Sequence, residues 1–384
     1  MQSKEIYGII SSLQLLYVVT NDIQKGIKEM KKGLKITLII LGIIVVLIAG
    51  ALLIVPKKMA MSVYNDYFGK RYTTDEAWQF QVEEFDGLAR EKHIFTSNEE
   101  QKLTGYIYSK GDTEAKGLIV IAHGFGAGHN SYMDVADYFA SNGYKVFAYD
   151  ATGNDESEGE SVKGFPQGII DLDYALNYIK NIEELSDLPV MLWGHSWGGY
   201  SVCSVSKLHP EIKGIISVAG FNKSLDMLES TGRELAGDAV DFVLPIFEKH
   251  ETKNFGDYAA MSALESLENS NTKVLMFHSA DDDVIPIEIS YDRYYEKFAD
   301  NERFSFVRFE DKGHNNILIS KSALEYRKEY NKAGEEYVSQ FGEGEFTDEM
   351  RHDYIKTHFD KSKGNELDSE MMSQMLEFYN NCIA

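Results

Sequence analysis

Short apolar runs alternate with helical patterns from residue 117 onward. Runs with so few polar positions are typical of strands buried on both faces of a parallel sheet, with helices covering it. The runs are Leu118 to Ala122, Lys145 to Tyr149, Val190 to Trp193, Ile212 to Val218, Val274 to His278 and Phe304 to Phe309. The pattern predicts a doubly wound α/β protein, in which ligands bind at the carboxyl ends of the strands.

Two further runs precede this alternation. Lys92 to Ser97 and Leu103 to Ser109 are joined by the polar turn Asn98-Glu99-Glu100, which predicts an antiparallel hairpin at one edge of the sheet. Upstream of it, residues 57–90 are polar and rich in aromatic side chains. We expect this segment to be helical and to pack beside the main domain.

The alternation breaks between residues 221 and 263, where about forty helical residues intervene, too many for an ordinary connection. We interpret this insertion as a helical cap above the strand ends. Its apolar residues, Phe242 and Phe247 among them, are expected to divide between core packing and the lining of a ligand pocket. Two later segments, Lys321 to Gln340 and Glu366 to Asn380, predict helices without a chemical role.

A membrane anchor is predicted near the amino terminus. Ile36 to Val55 is a run of 20 residues without a charge, long enough to span a bilayer as a helix, so residues 36–56 are assigned to it. Five lysines lie between residues 25 and 35 and two follow at 57 and 58, which favours a cytoplasmic segment at 1–35 and an extracytoplasmic main domain. A cleaved signal peptide is the alternative, and Met30 is an alternative start.

Charge is distributed unevenly along the chain. Residues 1–58 carry 8 Lys against 3 acidic residues, or +5, so the rest of the −23 chain carries −28. An acidic body of this kind repels nucleic acid, which we exclude as a partner. The two cysteines, Cys203 and Cys382, lie far apart and without metal-ligand spacing. Cys203 is expected to be a buried structural thiol, with a reactive thiol as the alternative.

The candidate nucleophile is Ser196. The strand Val190 to Trp193 leads directly into Gly194-His195-Ser196-Trp197-Gly198, a G-x-S-x-G pattern between a strand and a helix. A tight turn there forces the serine into a strained backbone geometry, and glycine two residues to either side removes Cβ atoms that would clash. The alternative is that Ser196 merely caps the helix.

Other strands end in residues that could complete a catalytic site. The strand at 118–122 is followed by the glycine-rich run His123 to Gly128, whose backbone can approach a ligand closely. Asp281, Asp282 and Asp283 follow the strand at 274–278, and His314 follows the strand at 304–309. Serine, aspartate and histidine thus occur in the order that α/β-hydrolases use.

These motifs resemble those of the α/β-hydrolase superfamily, from about residue 90 to 320, and within it the serine aminopeptidase-like and monoacylglycerol-lipase-like hydrolases of bacteria. The resemblance implies a mostly parallel α/β-hydrolase sheet with a helical cap, in a domain at 91–384. It implies a catalytic set of Ser196, Asp282 and His314, an oxyanion hole of the Phe125 and Trp197 N–H groups, and structural glycines at Gly124, Gly194 and Gly198. The acid commonly stands four residues before a proline, here Pro286, which selects Asp282 over the fallback Asp283.

One loop departs from the family pattern. In Thr152 to Gly159, Asn154 and Asp155 stand where a His-Gly-Arg run is common, so what this loop binds is left open.

The expected activity is hydrolysis of carboxylic esters, such as acyl esters or acylglycerol-like substrates, through an acyl-enzyme and without a metal or organic cofactor. The expected partners are a small acyl ester and, through residues 36–56, the membrane. One alternative is an aminopeptidase or other amide hydrolase, in which Glu229 or Glu234 of the cap would hold the substrate amine. Another is a catalytically silent extracellular binding module.

Overall fold

The computed structural model describes residues 55–111, 114–342 and 344–384. The chain divides into two compact units, Met1–Met61 and Ser62–Ala384. Apart from residues 55 and 56, the predicted anchor at 36–56 lies outside the described residues, as does the segment 1–35. None of the helices in the described ranges is long and apolar enough to cross a membrane.

Within the described residues, the second unit is built around an eight-stranded sheet with the order β1-β2-β4-β3-β5-β6-β7-β8. Its strands are Leu88–Thr96 (β1), Lys102–Lys110 (β2), Leu118–Ala122 (β3), Lys145–Tyr149 (β4), Val190–His195 (β5), Gly214–Val218 (β6), Lys273–Ser279 (β7) and Phe304–Phe309 (β8). Strands β3 to β8 run parallel to one another, and β2 pairs antiparallel with both β1 and β4. The mostly parallel sheet predicted from the apolar runs is confirmed.

The edge hairpin is also confirmed, although its strands are longer than predicted. Its register runs from Leu88 paired with Lys110 to Thr96 paired with Lys102. Burial along β1 is discontinuous, so the apolar signal was too weak to mark its first residues.

Helices cover both faces of the sheet. All the helices of the described ranges, including those of the cap, are residues 55–68 (α1), Met133–Ser141 (α2), Pro166–Ile179 (α3), Trp197–Val205 (α4), Ser224–Ala236 (α5), Leu244–Phe255 (α6), Ala263–Glu268 (α7), Tyr291–Phe298 (α8), Lys321–Val338 (α9), Asp348–His358 (α10), Lys361–Gly364 (α11) and Ser369–Ile383 (α12). Alternate residues of a central strand therefore enter different cores. In β3, Val120 packs in one apolar cluster and Ile121 in the other. Burial on both faces explains why these strands read as continuous apolar runs.

The segment at 57–90 is only partly helical, which corrects the expectation from its sequence. Helix α1 ends at residue 68, and Tyr72 forms an isolated parallel bridge with Asn154. A short 3-10 helix, Val82–Glu84, is the next regular element before β1. The backbone after α1 bonds to the loop that follows β4, and these bonds replace those of a continuing helix.

The region predicted as a cap, residues 221–263, contains α5, α6 and the 3-10 helices Gly237–Phe242 and Gly256–Ala260. Helices α9 and α12 match the two helices predicted near the carboxyl terminus. The intervening α10 and α11 were not anticipated.

Candidate active site

Ser196 lies at the sharp turn between β5 and α4. Its backbone adopts φ 57° and ψ −117°, a left-handed conformation that non-glycine residues rarely accept, and its N–H donates to the Val218 carbonyl oxygen at 2.8 Å. A Cβ atom on Gly194 would lie 2.3 Å from the Gly198 carbonyl oxygen, and one on Gly198 would lie 1.9 Å from that of Ala122. Neither glycine can therefore be replaced without moving the backbone.

The structure brings together the three residues predicted as a catalytic set. His314 Nε2 lies 3.0 Å from Ser196 Oγ, and His314 Nδ1 lies 2.8 Å from Asp282 Oδ2. All three residues are buried. This is the geometry in which a carboxylate fixes the tautomer of a histidine that faces a serine hydroxyl.

Asp282 is held as an acceptor. Its Oδ1 accepts hydrogen bonds from the N–H groups of Val284 at 2.9 Å and Ile285 at 2.7 Å. Burial alone would raise the pKa of the Asp282 carboxyl, but the hydrogen bond from His314 and that from Ile285 outweigh burial, and the pKa lies below its usual range. The carboxyl is thus ionised at neutral pH.

The neighbouring aspartates have other surroundings. Asp281 accepts hydrogen bonds from Ser279 Oγ at 2.6 Å and from the Gly313 N–H at 2.8 Å. Asp283 is exposed and lines the mouth of a cavity. Neither is hydrogen-bonded to His314 in the described part of the chain.

The loop after β3 carries the predicted oxyanion donor Phe125. The His123 ring supports this loop, because its Nδ1 lies 2.7 Å from the Gly124 carbonyl oxygen and its Nε2 accepts from the Ala151 N–H at 2.9 Å. Among the described residues, the backbone N–H groups of Phe125 and Trp197 donate to no protein acceptor. Both are therefore available to a ligand, as an oxyanion hole requires.

Gly124 contributes in a different way. Its N–H donates to the Tyr132 hydroxyl at 3.2 Å, and that hydroxyl lies 2.8 Å from His195 Nδ1. Sequence reasoning missed both Tyr132 and His195 as parts of the site. Their relation depends on contacts between distant segments and leaves no local pattern.

A cavity of about 360 Å³ includes Ser196 in its wall. Most of the lining is apolar and comes from the loop after β3, the residue before α3, the cap and α1, represented by Phe125, Phe165, Met227, Leu228, Phe247 and Tyr67. Phe247 thus lines the cavity as expected. Phe242 does not: it ends a 3-10 helix and is 82% exposed, so its predicted role in the pocket is wrong.

The two cap carboxylates considered for amine binding differ. Glu229 forms an ion pair with Arg233 at 2.6 Å. Glu234 is exposed and lines the cavity that contains Ser196. Of the two, Glu234 is thus the one placed to meet a ligand.

Cys203 lies on α4, 1% exposed, and burial raises the pKa of its thiol to about 12. A thiol that stays protonated is a poor nucleophile, so the structural role expected for Cys203 is supported.

Comparison with known proteins finds a similarity over part of the chain. The family model described as serine aminopeptidase, S33, matches residues 113–250. The chain is 30% identical to the monoglyceride lipase of Rattus norvegicus over 141 residues, which cover 36% of this chain and 46% of the relative. It is 28% identical to the quorum-quenching protein AidA of Acinetobacter baumannii over 153 residues, covering 38% and 50%. The chain thus spans about half the length of the curated relatives it matches.

Among solved structures, the Pyrococcus furiosus esterase PF2001 superposes with a TM-score of 0.50 at 16% identity. The match covers 71% of this chain and 98% of that one. At this identity the likeness shows the fold alone. Together with the sharp turn at Ser196 and the mostly parallel sheet, these matches show that the chain has an α/β-hydrolase fold and is similar to the monoglyceride lipases over the matched residues.

Proposed function

We propose that this protein is a serine hydrolase that cleaves carboxylic esters of acyl chains, with Ser196 as the nucleophile. The observation that carries the proposal is the chain of hydrogen-bonding distances from Ser196 to His314 to Asp282 beside an apolar cavity. The similarity to monoglyceride lipases supports an acyl ester as the substrate class. An acylglycerol-like ester is the specific form we favour, because the cavity offers an acyl chain an apolar wall next to the hydroxyl.

In this mechanism Ser196 Oγ attacks the ester carbonyl carbon while His314 Nε2 takes the hydroxyl proton. The carbonyl oxygen becomes an oxyanion that the N–H groups of Phe125 and Trp197 stabilise. His314 then returns the proton to the leaving alcohol, and the acyl-enzyme remains on Ser196. Water repeats the sequence, with His314 again as general base, and releases the carboxylic acid. Asp282 holds the imidazole in its tautomer throughout.

The first test combines covalent labelling with turnover. A fluorophosphonate probe should label the wild-type protein, and Ser196→Ala should abolish labelling and reduce ester hydrolysis at least about a thousandfold without unfolding the protein. Unchanged hydrolysis by the alanine variant would overturn the mechanism. Absence of labelling in folded wild-type protein would instead favour a catalytically silent binding module.

Amide hydrolysis is the second candidate. It is supported by the position of Glu234, whose carboxylate lines the cavity that contains Ser196 and could hold a substrate amine. Nitrophenyl esters compared with aminoacyl amides distinguish the two reactions. An aminopeptidase should prefer the amides and should lose that preference in Glu234→Gln. The matched control is Glu229→Gln, because the Glu229 carboxylate is already paired with Arg233.

We also propose that residues 36–56 form a single membrane-spanning anchor, with residues 1–35 cytoplasmic and the catalytic domain extracytoplasmic. The uncharged run and the lysines before it support this arrangement. The full-length protein should then remain with membranes in alkaline carbonate, and deletion of residues 1–58 should release a soluble, active enzyme. An external protease should reach the catalytic domain in intact cells. A truncated protein that still sediments with membranes would contradict the anchor.

A further inference from the structure

Residues 62–74, which we call the strap, lie outside the part of the chain that the family model matches. The helical part of the strap is the end of α1. Val63, Tyr64, Tyr67 and Phe68 line the cavity that contains Ser196. Their spacing places them on one face of the helix, because residues four apart are neighbours on its surface. A segment far upstream of the catalytic motifs therefore forms one side of the candidate substrate pocket.

The inner two of these residues are anchored in the protein. Tyr64 is 3% exposed and Phe68 is 4% exposed. The Phe68 ring centroid lies 5.6 Å from that of Phe125 and 4.9 Å from that of Phe165, both of which also line the cavity. Val63 and Tyr67, at 42% and 48% exposure, form the rim. The strap thus supplies both an inner wall and part of the mouth.

Backbone hydrogen bonds attach the strap to the polypeptide after β4. The Lys163 N–H donates to the Phe68 carbonyl oxygen at 3.0 Å. Farther along, the Tyr72 N–H donates to Gly153 at 2.9 Å, and the Asp155 N–H donates to Tyr72 at 3.0 Å. This reciprocal pair is the parallel bridge that fixes the strap in register.

Side chains add a second attachment to the loop Thr152 to Gly159, the loop whose sequence departs from the family pattern. Arg71 donates to the carbonyl oxygens of Gly159 at 2.6 Å and Ser157 at 2.8 Å. Asp155 Oδ1 accepts from the Thr74 N–H at 2.6 Å, and its Oδ2 accepts from the Thr74 hydroxyl at 3.0 Å. The loop Thr152 to Gly159 therefore binds the strap.

The strap also packs on the loop that carries Phe125. The Tyr72 ring centroid lies 4.9 Å from that of Phe125, and a Cβ atom on Gly126 would lie 3.3 Å from the Tyr72 ring. The same segment therefore contacts the acyl cavity and the loop of the proposed oxyanion donor.

We propose that the strap is an integral wall of the substrate site and that Val63 and Tyr67 at its rim determine which acyl chain lengths the enzyme prefers. This inference rests on the proposed ester hydrolysis and names a specificity determinant for it. A long acyl chain extends from Ser196 along the apolar lining to the rim, whereas a short one never reaches it. Each methylene that gains contact should improve kcat/KM about fourfold until the wall ends.

The experiment uses full-length protein in detergent and nitrophenyl esters of short, medium and long acyl chains. Tyr67→Ala should lower kcat/KM for the long ester about tenfold relative to the short one, because contact with roughly two methylenes is lost. Val63→Trp should obstruct the mouth and also disfavour the long ester. The control is Asp66→Ala, on the same helix, exposed and absent from the cavity lining.

Asp155 provides a test that does not alter the cavity lining. Asp155→Ala removes the acceptor for Thr74 and should shift chain-length preference in the same direction as Tyr67→Ala. Asp155→Asn keeps the Oδ1 acceptor and should resemble the wild type more closely. Thermal unfolding of each variant separates a shift in preference from loss of the fold.

The outcomes separate the two proposals. If the wild type hydrolyses no ester, the proposed function fails. If it hydrolyses esters but the ratio of long to short is the same in Tyr67→Ala, Val63→Trp and Asp66→Ala, the strap is cover alone and the inference is overturned.

Discussion

The His195 imidazole donates a hydrogen bond from Nε2 to the backbone carbonyl oxygen of His314, 3.1 Å away. The Tyr132 hydroxyl, which faces His195 Nδ1, is consistent with this tautomer of the His195 ring. The Tyr132 hydroxyl accepts from the Gly124 N–H and so donates its own proton to His195 Nδ1. Burial first, and then the charge of His314, lower the pKa of His195 to about 3. A permanently neutral His195 therefore links the loop after β3 to the loop of the proposed general base.

Replacing His195 with phenylalanine should lower kcat for a short ester about tenfold to a hundredfold, because the loop of His314 loses a positioning contact. The pH profile of the remaining activity should keep its midpoints, since His195 does not titrate near neutral pH. Tyr132→Phe should give a smaller loss with the same profile. A shifted acid limb in His195→Phe would show that His195 takes part in proton transfer.

The three adjacent aspartates should differ sharply. Asp282→Asn should reduce kcat at least about a thousandfold, because the amide cannot hold His314 in its tautomer. Asp283→Asn should stay near the wild type, since Asp283 is exposed at the cavity mouth. Asp281→Asn should be intermediate, because Asp281 accepts from the Gly313 N–H next to His314. Esterase kinetics on the three variants test the order, and a severe loss in Asp283→Asn would assign the acid to Asp283.

Arg327 of α9 should act as a positioning residue. Its Nη1 donates to the Asn315 carbonyl oxygen at 3.3 Å and to Asn316 Oδ1 at 3.1 Å, directly after His314, while its Nε donates to Gly364 at 2.6 Å. Arg327→Met should slow fluorophosphonate labelling about tenfold with little change in KM. Lys328→Met, exposed on the same helix, is the control. Equal labelling rates in the two variants would exclude this role.

Glu251 should make stability depend on pH. The residue is fully buried on α6, Ser224 Oγ donates to its Oε1 at 2.7 Å, and burial raises the pKa of its carboxyl from 4.5 to about 7. The folded state therefore holds a proton that the unfolded chain releases at lower pH. Stability from this group is greatest below the unfolded pKa and falls as pH rises toward about 7.

Compared with Glu251→Gln, the wild type should lose about 2 to 3 kcal/mol of unfolding free energy between roughly pH 5 and pH 8. Denaturant unfolding at both pH values measures the difference. Glu248→Gln, exposed on the same helix, should follow the wild type. Parallel pH dependence in wild type and Glu251→Gln would refute the prediction.

The sequence by itself determined the sheet and the sharp turn at Ser196, because both arise from short-range patterns. A strand buried on both faces must be apolar along its length, so β3 to β8 were readable as runs. The turn at Ser196 needs glycine at 194 and 198 for reasons of local sterics, and those glycines are visible in the sequence. The positions of Asp282 and His314 could also be predicted, because each follows a strand that is visible as an apolar run.

The tertiary structure decided everything that depends on how distant segments meet. His314 and Ser196 are 118 residues apart, and periodicity along the chain carries no information about contacts at that range. The family spacing to Pro286 indicated Asp282, but only the path of the loop brings its carboxylate to 2.8 Å from His314 Nδ1. Phe242 and Phe247 are both apolar residues of the cap. The fold buries Phe247 on α6 but leaves Phe242, at the end of the preceding 3-10 helix, exposed to solvent. The strap reaches the site through hydrogen bonds to a loop some eighty residues downstream, such as that of Thr74 with Asp155, separated by 81 residues. Such bonds depend on where the folded backbone places each donor and acceptor, which hydrophobic spacing cannot encode.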